Sequence, residues 1–286
     1  MVLYMVDDVL INKAATIERC INRIHEEYNE YIPQRIPCPM SSTALYTDLS
    51  CYYDLMCADI NYLEQSDFVR RLHQLFGNQG KNYLDLACGT GPHMRHFIDF
   101  GYTANGVDIN QPMLDIAQEH CPEAQFTQQD MSKLNLDTQM DLISCFLYSI
   151  HYNQSIATLT DCIISAHSAL KSGGIFCFNA VDKSKIDNRA GIKHRLTHNN
   201  NEFSFQSNWH YAGEGEQQHL QLSIEKTTNG LTETWNDQHS MVALTFQHLQ
   251  QLLAPYFEVH MFAHDYHKIT PWENGSGNAF FVGIKH

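Results

Sequence analysis

Apolar positions change their spacing several times along this chain. Over residues 9–30, Ile11, Ala14, Ile17, Ile21 and Ile24 fall three or four apart, which predicts a helix with one apolar face. Pro33, Pro37 and Pro39 break that pattern, so residues 31–44 read as a linker. Residues 45–77 read as helical again, with Phe68, Leu72, Leu75 and Phe76 as the stripe and Gly77 as the stop. Short apolar runs then alternate with helical stretches. The runs fall at 82–87, 104–109, 124–128, 140–147 and 175–179. The helices fall at about 93–100, after Gln111 with Pro112 just inside the start, and at 156–170, with a turn at 171–174. The run at 140–147 is apolar at nearly every position, as a strand covered on both faces must be. This alternation predicts a parallel sheet flanked by helices. Over 201–211, 218–228 and 231–245 the period becomes two, with turn signals at Gly213-Glu214-Gly215 and Asn229-Gly230, so residues of about 190–245 form an antiparallel insertion. A helix at 246–253 and strands near 257–262 and 279–284 close the chain.

Composition narrows the class. Across 286 residues, 43% are hydrophobic and 17% charged, enough for a large core with a small appendage. Lys plus Arg is 18 against 32 Asp plus Glu, a net charge of -14, which argues against broad binding of a nucleic-acid backbone. The apolar stretch at 142–150 is far short of the ~20 residues that span a bilayer. Asp7 and Asp8 stand where an export signal needs a basic and then an apolar run. None of the nine Cys form a Cys-x-x-Cys pair, and Cys145 and Cys177 sit inside apolar runs, as expected of buried thiols in a reducing, cytoplasmic setting. The seventeen His are scattered; His264-x-x-His267 with Asp265 lacks a third ligand at metal spacing, so no metal is expected.

The chemistry centres on Tyr83-Leu84-Asp85-Leu86-Ala87-Cys88-Gly89-Thr90-Gly91. Glycines after a first strand let backbone approach a ligand at the opening of a helix. Only Gly89-x-Gly91 is present, followed by Pro92 and His93 with no Lys, and the acidic Asp85 precedes it. That set suits an ammonium-bearing ligand better than a pyrophosphate. Asp108 ends the next run in Gly106-Val107-Asp108, placed to accept from ribose hydroxyls. Asp130, in Gln129-Asp130-Met131, follows the third run and is placed to accept an adenine amino proton.

These three motifs together resemble the class I S-adenosylmethionine-dependent methyltransferases. The resemblance covers about residues 45–285 and implies an α/β, Rossmann-like sheet of seven mostly parallel strands, helices on both faces and an antiparallel last strand at 279–284. It implies S-adenosyl-L-methionine as cofactor and S-adenosyl-L-homocysteine as product. It also implies that Asp85, Ala87, Gly89 and Gly91 frame the methionine part, Asp108 holds the ribose, and Ile109, Asp130 and Met131 meet the adenine. Tyr53, Met113 and Phe146 complete the cofactor set. Tyr52-Tyr53-Asp54, the insertion after the fifth strand, and the ending Gly277-x-x-Phe280-Phe281-Val282-Gly283 are similar to small-molecule N-methyltransferases of the aminosugar type. Those enzymes carry a His after the fourth strand, where Tyr152 stands here beside His151.

The expected reaction is therefore methyl transfer to a small-molecule acceptor, an amine above all. An amine nucleophile must be neutral, which calls for a base. His151 or Tyr152 is the candidate base, and Tyr53 is expected to orient the acceptor or close the site. The insertion is expected to act as a lid or to make a homodimer interface, the two roles being compatible. Phe205, Trp209, Tyr211 and Trp235 supply its aromatic area, and Lys193-His194-Arg195 is its compact basic cluster. Two other classes fit the cofactor motifs: a non-catalytic protein that senses the cofactor or its product, and a methyltransferase acting on oxygen, RNA or protein. Separately, Asn12-Lys13-Ala14-Ala15-Thr16-Ile17-Glu18-Arg19-Cys20 resembles the first helix of HEPN-type ribonuclease toxins. That likeness spans only about 25 residues and implies a packing or association helix rather than ribonuclease activity.

Overall fold

The computed structural model describes residues 44–273 and 275–286. The helix expected over 9–30, its HEPN-like stretch and the linker up to residue 43 lie outside the described residues. Among the described residues, eleven strands form two sheets. The first contains β1 (Asn82–Leu86), β2 (Thr103–Asp108), β3 (Gln125–Gln128), β4 (Met140–Cys145), β5 (Leu170–Val181), β10 (Glu258–Ala263) and β11 (Asn278–Ile284), in the order β10-β11-β5-β4-β1-β2-β3. The strands from β5 to β3 pair in parallel, and β11 lies antiparallel between β5 and β10. The antiparallel last strand expected from the sequence is β11. All six residues of β4 are buried, which accounts for its mostly apolar run; its two polar members, Asp141 and Ser144, are both hydrogen-bonded.

Alternation along each strand sends side chains to two cores. One face of the sheet carries Leu84, Leu86, Ile143, Phe176, Phe178 and Phe281 against α5 (Ile156–Ala169) and α6 (Phe246–Leu253). The other carries Tyr83, Leu142, Cys177, Phe280 and Val282 against α2 (Tyr62–Phe76) and α3 (Pro92–Asp99), with Leu114 of α4 (Gln111–His120) beside them. Cys145 and Cys177 are fully buried within these cores.

The second sheet is the insertion. It runs β6 (Gly191–His198), β7 (Asn201–Tyr211), β8 (Gln217–Thr228), β9 (Leu231–Val242), all antiparallel. Asn229 and Gly230 both take positive φ (50° and 81°), as the hairpin signal requires. The strand β6 was not expected. Its Gly191-Ile192-Lys193-His194-Arg195-Leu196 stretch is mostly exposed at a sheet edge, so it shows little of the alternation that marks a half-buried strand. Asn199 and Asn200 turn it into β7 with φ of 48° and 59°.

Two other expectations change. Residues 45–77 are not one helix. Ala44–Tyr46 and Ser50–Tyr52 are single 3-10 turns, α1 is only Tyr53–Met56, and α2 starts afresh at Tyr62, where the Asn61 side chain accepts from the Glu64 N–H at 3.1 Å. The reason is a third core. Leu45, Tyr46, Leu49, Tyr52, Tyr53, Leu55 and Met56 pack on Phe203, Phe205, Leu222 and Ile224 of the insertion, and no straight helix presents so many large side chains to one sheet. Leu75, counted in the stripe, is 64% exposed. Residues 171–174 are not a turn but the first part of β5. Gly173 donates its N–H to the Lys285 carbonyl at 2.7 Å, and Lys285 donates to Gly174 at 3.0 Å, which extends the ladder beyond the apolar run.

Fully burying a Phe contributes roughly 1.5–3 kcal/mol, so the third core is held chiefly by Phe203 and Phe205 at 3% and 1% exposure. Replacing Phe205 with Ala is expected to cost about 3–5 kcal/mol in urea denaturation. Leu231→Ala, at a 77% exposed position, is the control and is expected to change stability by less than about 0.5 kcal/mol. Equal effects would show that the insertion is not anchored through this core.

Candidate functional site

The loop from β1 to α3 is shaped by three left-handed residues, Ala87 (φ 53°), Gly89 (φ 55°) and Gly91 (φ 81°). Gly91 is the N-cap of α3 and Pro92 its first residue, where a missing N–H costs nothing. A Cβ on Gly91 would press on Ala117 at 3.3 Å, and Gly89 faces Tyr53 and Met113. Thr90 donates its hydroxyl to Asp54 at 2.7 Å, fastening the loop to α1.

Asp85 lies at the end of β1 and is 1% exposed. Its Oδ1 accepts from the Ser144 hydroxyl at 2.7 Å, and Ser144 in turn sits 2.7 Å from the Tyr83 hydroxyl. A carboxylate only accepts, so both hydroxyls must point their protons toward it. Burial raises the Asp85 carboxyl to about 7, against the lowering effect of these hydroxyls, and the Asp108 carboxylate raises it further. Asp108 ends β2. Its Oδ2 accepts from the Gly89 N–H at 3.0 Å and its Oδ1 from the Asn110 N–H at 2.8 Å. Burial raises its carboxyl too, opposed by these backbone donors. Both carboxylates are thus held at strand ends on one side of the glycine loop.

A small cavity opens between the loops that leave β1 and β4. It is lined by Tyr53, Asp85, Ala87, Cys88, Pro92, His93, Phe146, Leu147 and Ser149. Leu147 and Tyr148 are left-handed in succession (φ 51° and 62°), held by the Tyr148 N–H donating to Asn179 at 3.0 Å. Phe146 stacks on His93 at 3.7 Å between ring centres. Four residues expected from the sequence, Tyr53, Asp85, Ala87 and Phe146, therefore line one space. Met113 is buried beneath the loop at 1% exposure, whereas Ile109 is 62% exposed just past β2. Asp130 accepts from the Ser132 N–H and hydroxyl at 2.9 and 2.8 Å, and Met131 packs partly buried against the α5 side of the core. A larger concavity of about 450 Å³ lies elsewhere, on the outward face of the insertion. Neutral amides such as Gln206, Asn208 and Gln221 line most of it.

The candidate bases separate clearly. His151 is 1% exposed. Its Nδ1–H donates to the Val242 carbonyl at 2.9 Å and its Nε2 accepts from the Val181 N–H at 3.0 Å. Burial pushes it down to about 4. With both ring nitrogens committed to backbone, His151 ties β5 to β9 and has no nitrogen left for a ligand's proton; the base role expected for it is corrected on this ground. Tyr152 is differently placed. Its hydroxyl lies 2.6 Å from Nδ1 of His239 and 2.5 Å from the hydroxyl of Tyr46, while His239 Nε2 lies 3.0 Å from Asp237 Oδ2. Sequence reading missed Tyr46, Asp237 and His239. The signal was present: period two puts Trp235, Asp237, His239 and Met241 on one face of β9, and two titratable residues on an apolar face need a reason.

The remaining motifs have other partners. His264 is 2.9 Å from the Tyr266 hydroxyl and His267 pairs with Glu64, so the two histidines diverge. In Lys193-His194-Arg195, His194 stacks on Phe205 while both cations are exposed. Among the described residues, no helix is long and apolar enough to cross a membrane.

Residues 84–174 match a family model described as a methyltransferase domain. The dTDP-3-amino-3,4,6-trideoxy-alpha-D-glucopyranose N,N-dimethyltransferase of Streptomyces venezuelae is 32% identical over 98 residues, 34% of this chain and 41% of that one. The chain thus spans less than two thirds of that relative, and likewise of a Geobacillus sp. (strain WCH70) relative matched over 60% of its length. Among solved structures, the sugar N-methyltransferase KedS8 from Streptoalloteichus sp. superposes with a TM-score of 0.75 at 17% identity, covering 90% of this chain and 99% of that one. An S-adenosylmethionine-dependent methyltransferase from Clostridium acetobutylicum does so with 0.68 at 20%, covering 84% and 98%. The chain contains a methyltransferase domain, carried on the Rossmann-like fold that these solved methyltransferases share.

Proposed function

We propose that this protein is an S-adenosylmethionine-dependent methyltransferase that methylates an amine on a small molecule, with amino sugars as the acceptor class. The observation that carries the reading is Asp85. A buried carboxyl at the end of the first strand, held by hydroxyls and raised to about 7, is a site made for a cation, and the ammonium of the cofactor's methionine part is one. The neighbouring features fit the same molecule. Positive φ at Gly89 and Gly91 lets backbone come close. Asp108 is fixed by two backbone N–H groups and keeps lone pairs for ribose hydroxyls. Exposed Ile109, just past β2, offers an apolar surface for a base, and Asp130 and Met131 follow β3, the strand paired with β2. The names of the Streptomyces venezuelae relative and of KedS8 support an amino-sugar acceptor.

When bound, the cofactor supplies a methyl group already activated on a sulfonium. The protein's task is to hold a neutral nucleophile in line and to keep water away. Tyr53, against Gly89, closes the cavity on the side of the insertion. Phe146 lines the cavity with its ring stacked on His93, and Met113 packs against Gly89 and keeps the loop's shape.

Calorimetry tests the cofactor half. Asp108→Ala is expected to weaken S-adenosylmethionine binding by more than ~1.4 kcal/mol, tenfold; an unchanged Kd removes Asp108 from the ribose. Affinity is also expected to depend on pH. Burial raises the free carboxyl of Asp85 to about 7, and it must be ionised to hold an ammonium, which lowers its pKa in the complex. Binding is therefore at full strength above pH 7 and weakens as pH falls below it. Asp85→Asn is expected to bind weakly and to lose this dependence between pH 6 and 8. The acceptor half is tested by methyl transfer from radiolabelled cofactor to amino sugars and their hydroxyl counterparts. Label in the amino sugars alone supports the reading, and label only in the hydroxyl compounds contradicts it.

A further inference from the structure

The apolar inner face of the insertion carries one polar chain that the cofactor site does not explain. Asp237 and His239 are two residues apart on β9, and their side chains are 8% and 1% exposed. His239 joins Asp237 Oδ2 through Nε2 at 3.0 Å and the Tyr152 hydroxyl through Nδ1 at 2.6 Å. Tyr152 joins the Tyr46 hydroxyl at 2.5 Å. Three separate pieces of chain meet here: the first 3-10 turn, the loop after β4 and the insertion. The Tyr46 ring lies 5.8 Å from the Tyr53 ring, and Tyr53 lies against Gly89. Tyr46 is therefore the end of the chain nearest the glycine loop, and it stays only partly buried, as do Tyr152 and Tyr53.

The direction of every proton in this chain follows from Asp237. A carboxylate accepts only, so His239 donates Nε2–H to it and leaves a lone pair on Nδ1. The Tyr152 hydroxyl must then donate to Nδ1, and its oxygen accepts from Tyr46. The Tyr46 oxygen is left with lone pairs and no obligation to donate elsewhere. We propose that Asp237, His239, Tyr152 and Tyr46 form a proton relay that deprotonates the acceptor's ammonium group, with Tyr46 as the catalytic residue that touches it. The proposal rests on the amine-methylating reading above. In the step, an N–H bond of the ammonium breaks and its electron pair stays on nitrogen. The proton goes to the Tyr46 oxygen, the Tyr46 proton to Tyr152, and the Tyr152 proton to His239 Nδ1. The result is a neutral amine and an imidazolium paired with the Asp237 carboxylate. His239 returns its proton to solvent after the product leaves.

The surroundings favour imidazole as the final acceptor. Burial raises both tyrosine hydroxyls far above their usual range, so neither stays ionised and each passes a proton on. The titratable groups that face the relay are Cys57 beside both tyrosines, Asp108 toward Tyr46, Tyr53, Tyr62 and Asp54 around Cys57, and Asp237 itself. Burial also raises the Cys57 thiol, to about 11. The facing charges are thus the carboxylates of Asp108 and Asp237, with Asp54 beyond Cys57, and all three favour an ammonium and an imidazolium. His151, though nearer in sequence to the fourth strand's end, takes no part because backbone occupies both its nitrogens.

Two measurements on the full chain test the relay. Nitrogen NMR of labelled histidine reads the tautomer without any acceptor. His239 is expected to carry its proton on Nε2, with a Nδ1 signal that moves in Tyr152→Phe; a proton on Nδ1 overturns the relay. The second compares pH profiles of methyl transfer to dTDP-3-amino-3,6-dideoxyglucose. Tyr46→Phe is expected to lose about 10²-fold in kcat/KM at pH 7, with the cofactor Kd changed less than about twofold. The loss is expected to shrink as pH rises toward 10, where the amine is neutral unaided. A loss of equal size at every pH overturns the relay and leaves Tyr46 a packing residue; so does no loss. If the unaltered protein binds the cofactor yet transfers no methyl to this probe, the acceptor assigned above fails, and the tautomer still decides the relay.

Discussion

A buried carboxylate sets the terms for the rest of the molecule. Asp85 sits near the end of β1, an inner strand paired with β4 and β2, with Ser144 from β4 on one side and the loop toward α3 beyond it. Keeping such a group in low dielectric without a cation is costly, which is why its carboxyl rises to about 7. The hydroxyls of Ser144 and Tyr83 offset part of that cost, and the proposed function has the ammonium of the cofactor offset the remainder. The parallel order of strands puts Asp85 and Asp108 at the same edge of the sheet, where open α/β sheets receive ligands.

The insertion extends this arrangement by supplying what a Rossmann-like sheet alone does not. It covers the N-terminal tyrosines through Phe203 and Phe205 and brings Asp237 and His239 against Tyr152. Local stiffness follows the chemistry. Ala87, Leu147 and Tyr148 all hold left-handed backbone that costs non-glycine residues of order 1–3 kcal/mol each, and all three flank the cavity or its rim. Such strain persists because surrounding bonds fix it, as the Asn179 side chain does for Tyr148.

The parallel sheet was legible in the sequence because its strands are buried on both faces and separated by helices of ordinary length. The same holds for the Asn229-Gly230 hairpin, whose turn chemistry is local. What escaped was set by tertiary contact. The edge strand β6 is mostly exposed and carries little pattern. The segment from Leu45 to Met56 looks helical by composition, yet its aromatics are shared out over the inner face of the insertion. The cofactor motifs were readable because each follows a strand. Of the proposed relay only Tyr152 was readable: His151 stood in the expected place but spends both nitrogens on backbone, while His239 lies 87 residues from its partner Tyr152. Only the pairing of β9 with β8 and the packing of the insertion bring that pair together.

The most direct test of the account is a crystal structure of the protein with S-adenosylhomocysteine. The account predicts the ammonium on Asp85, the ribose hydroxyls on Asp108, and an acceptor space that reaches from the sulfur to the Tyr46 hydroxyl. A ligand seated away from Asp85, for example among the amides on the outer face of the insertion, would contradict it.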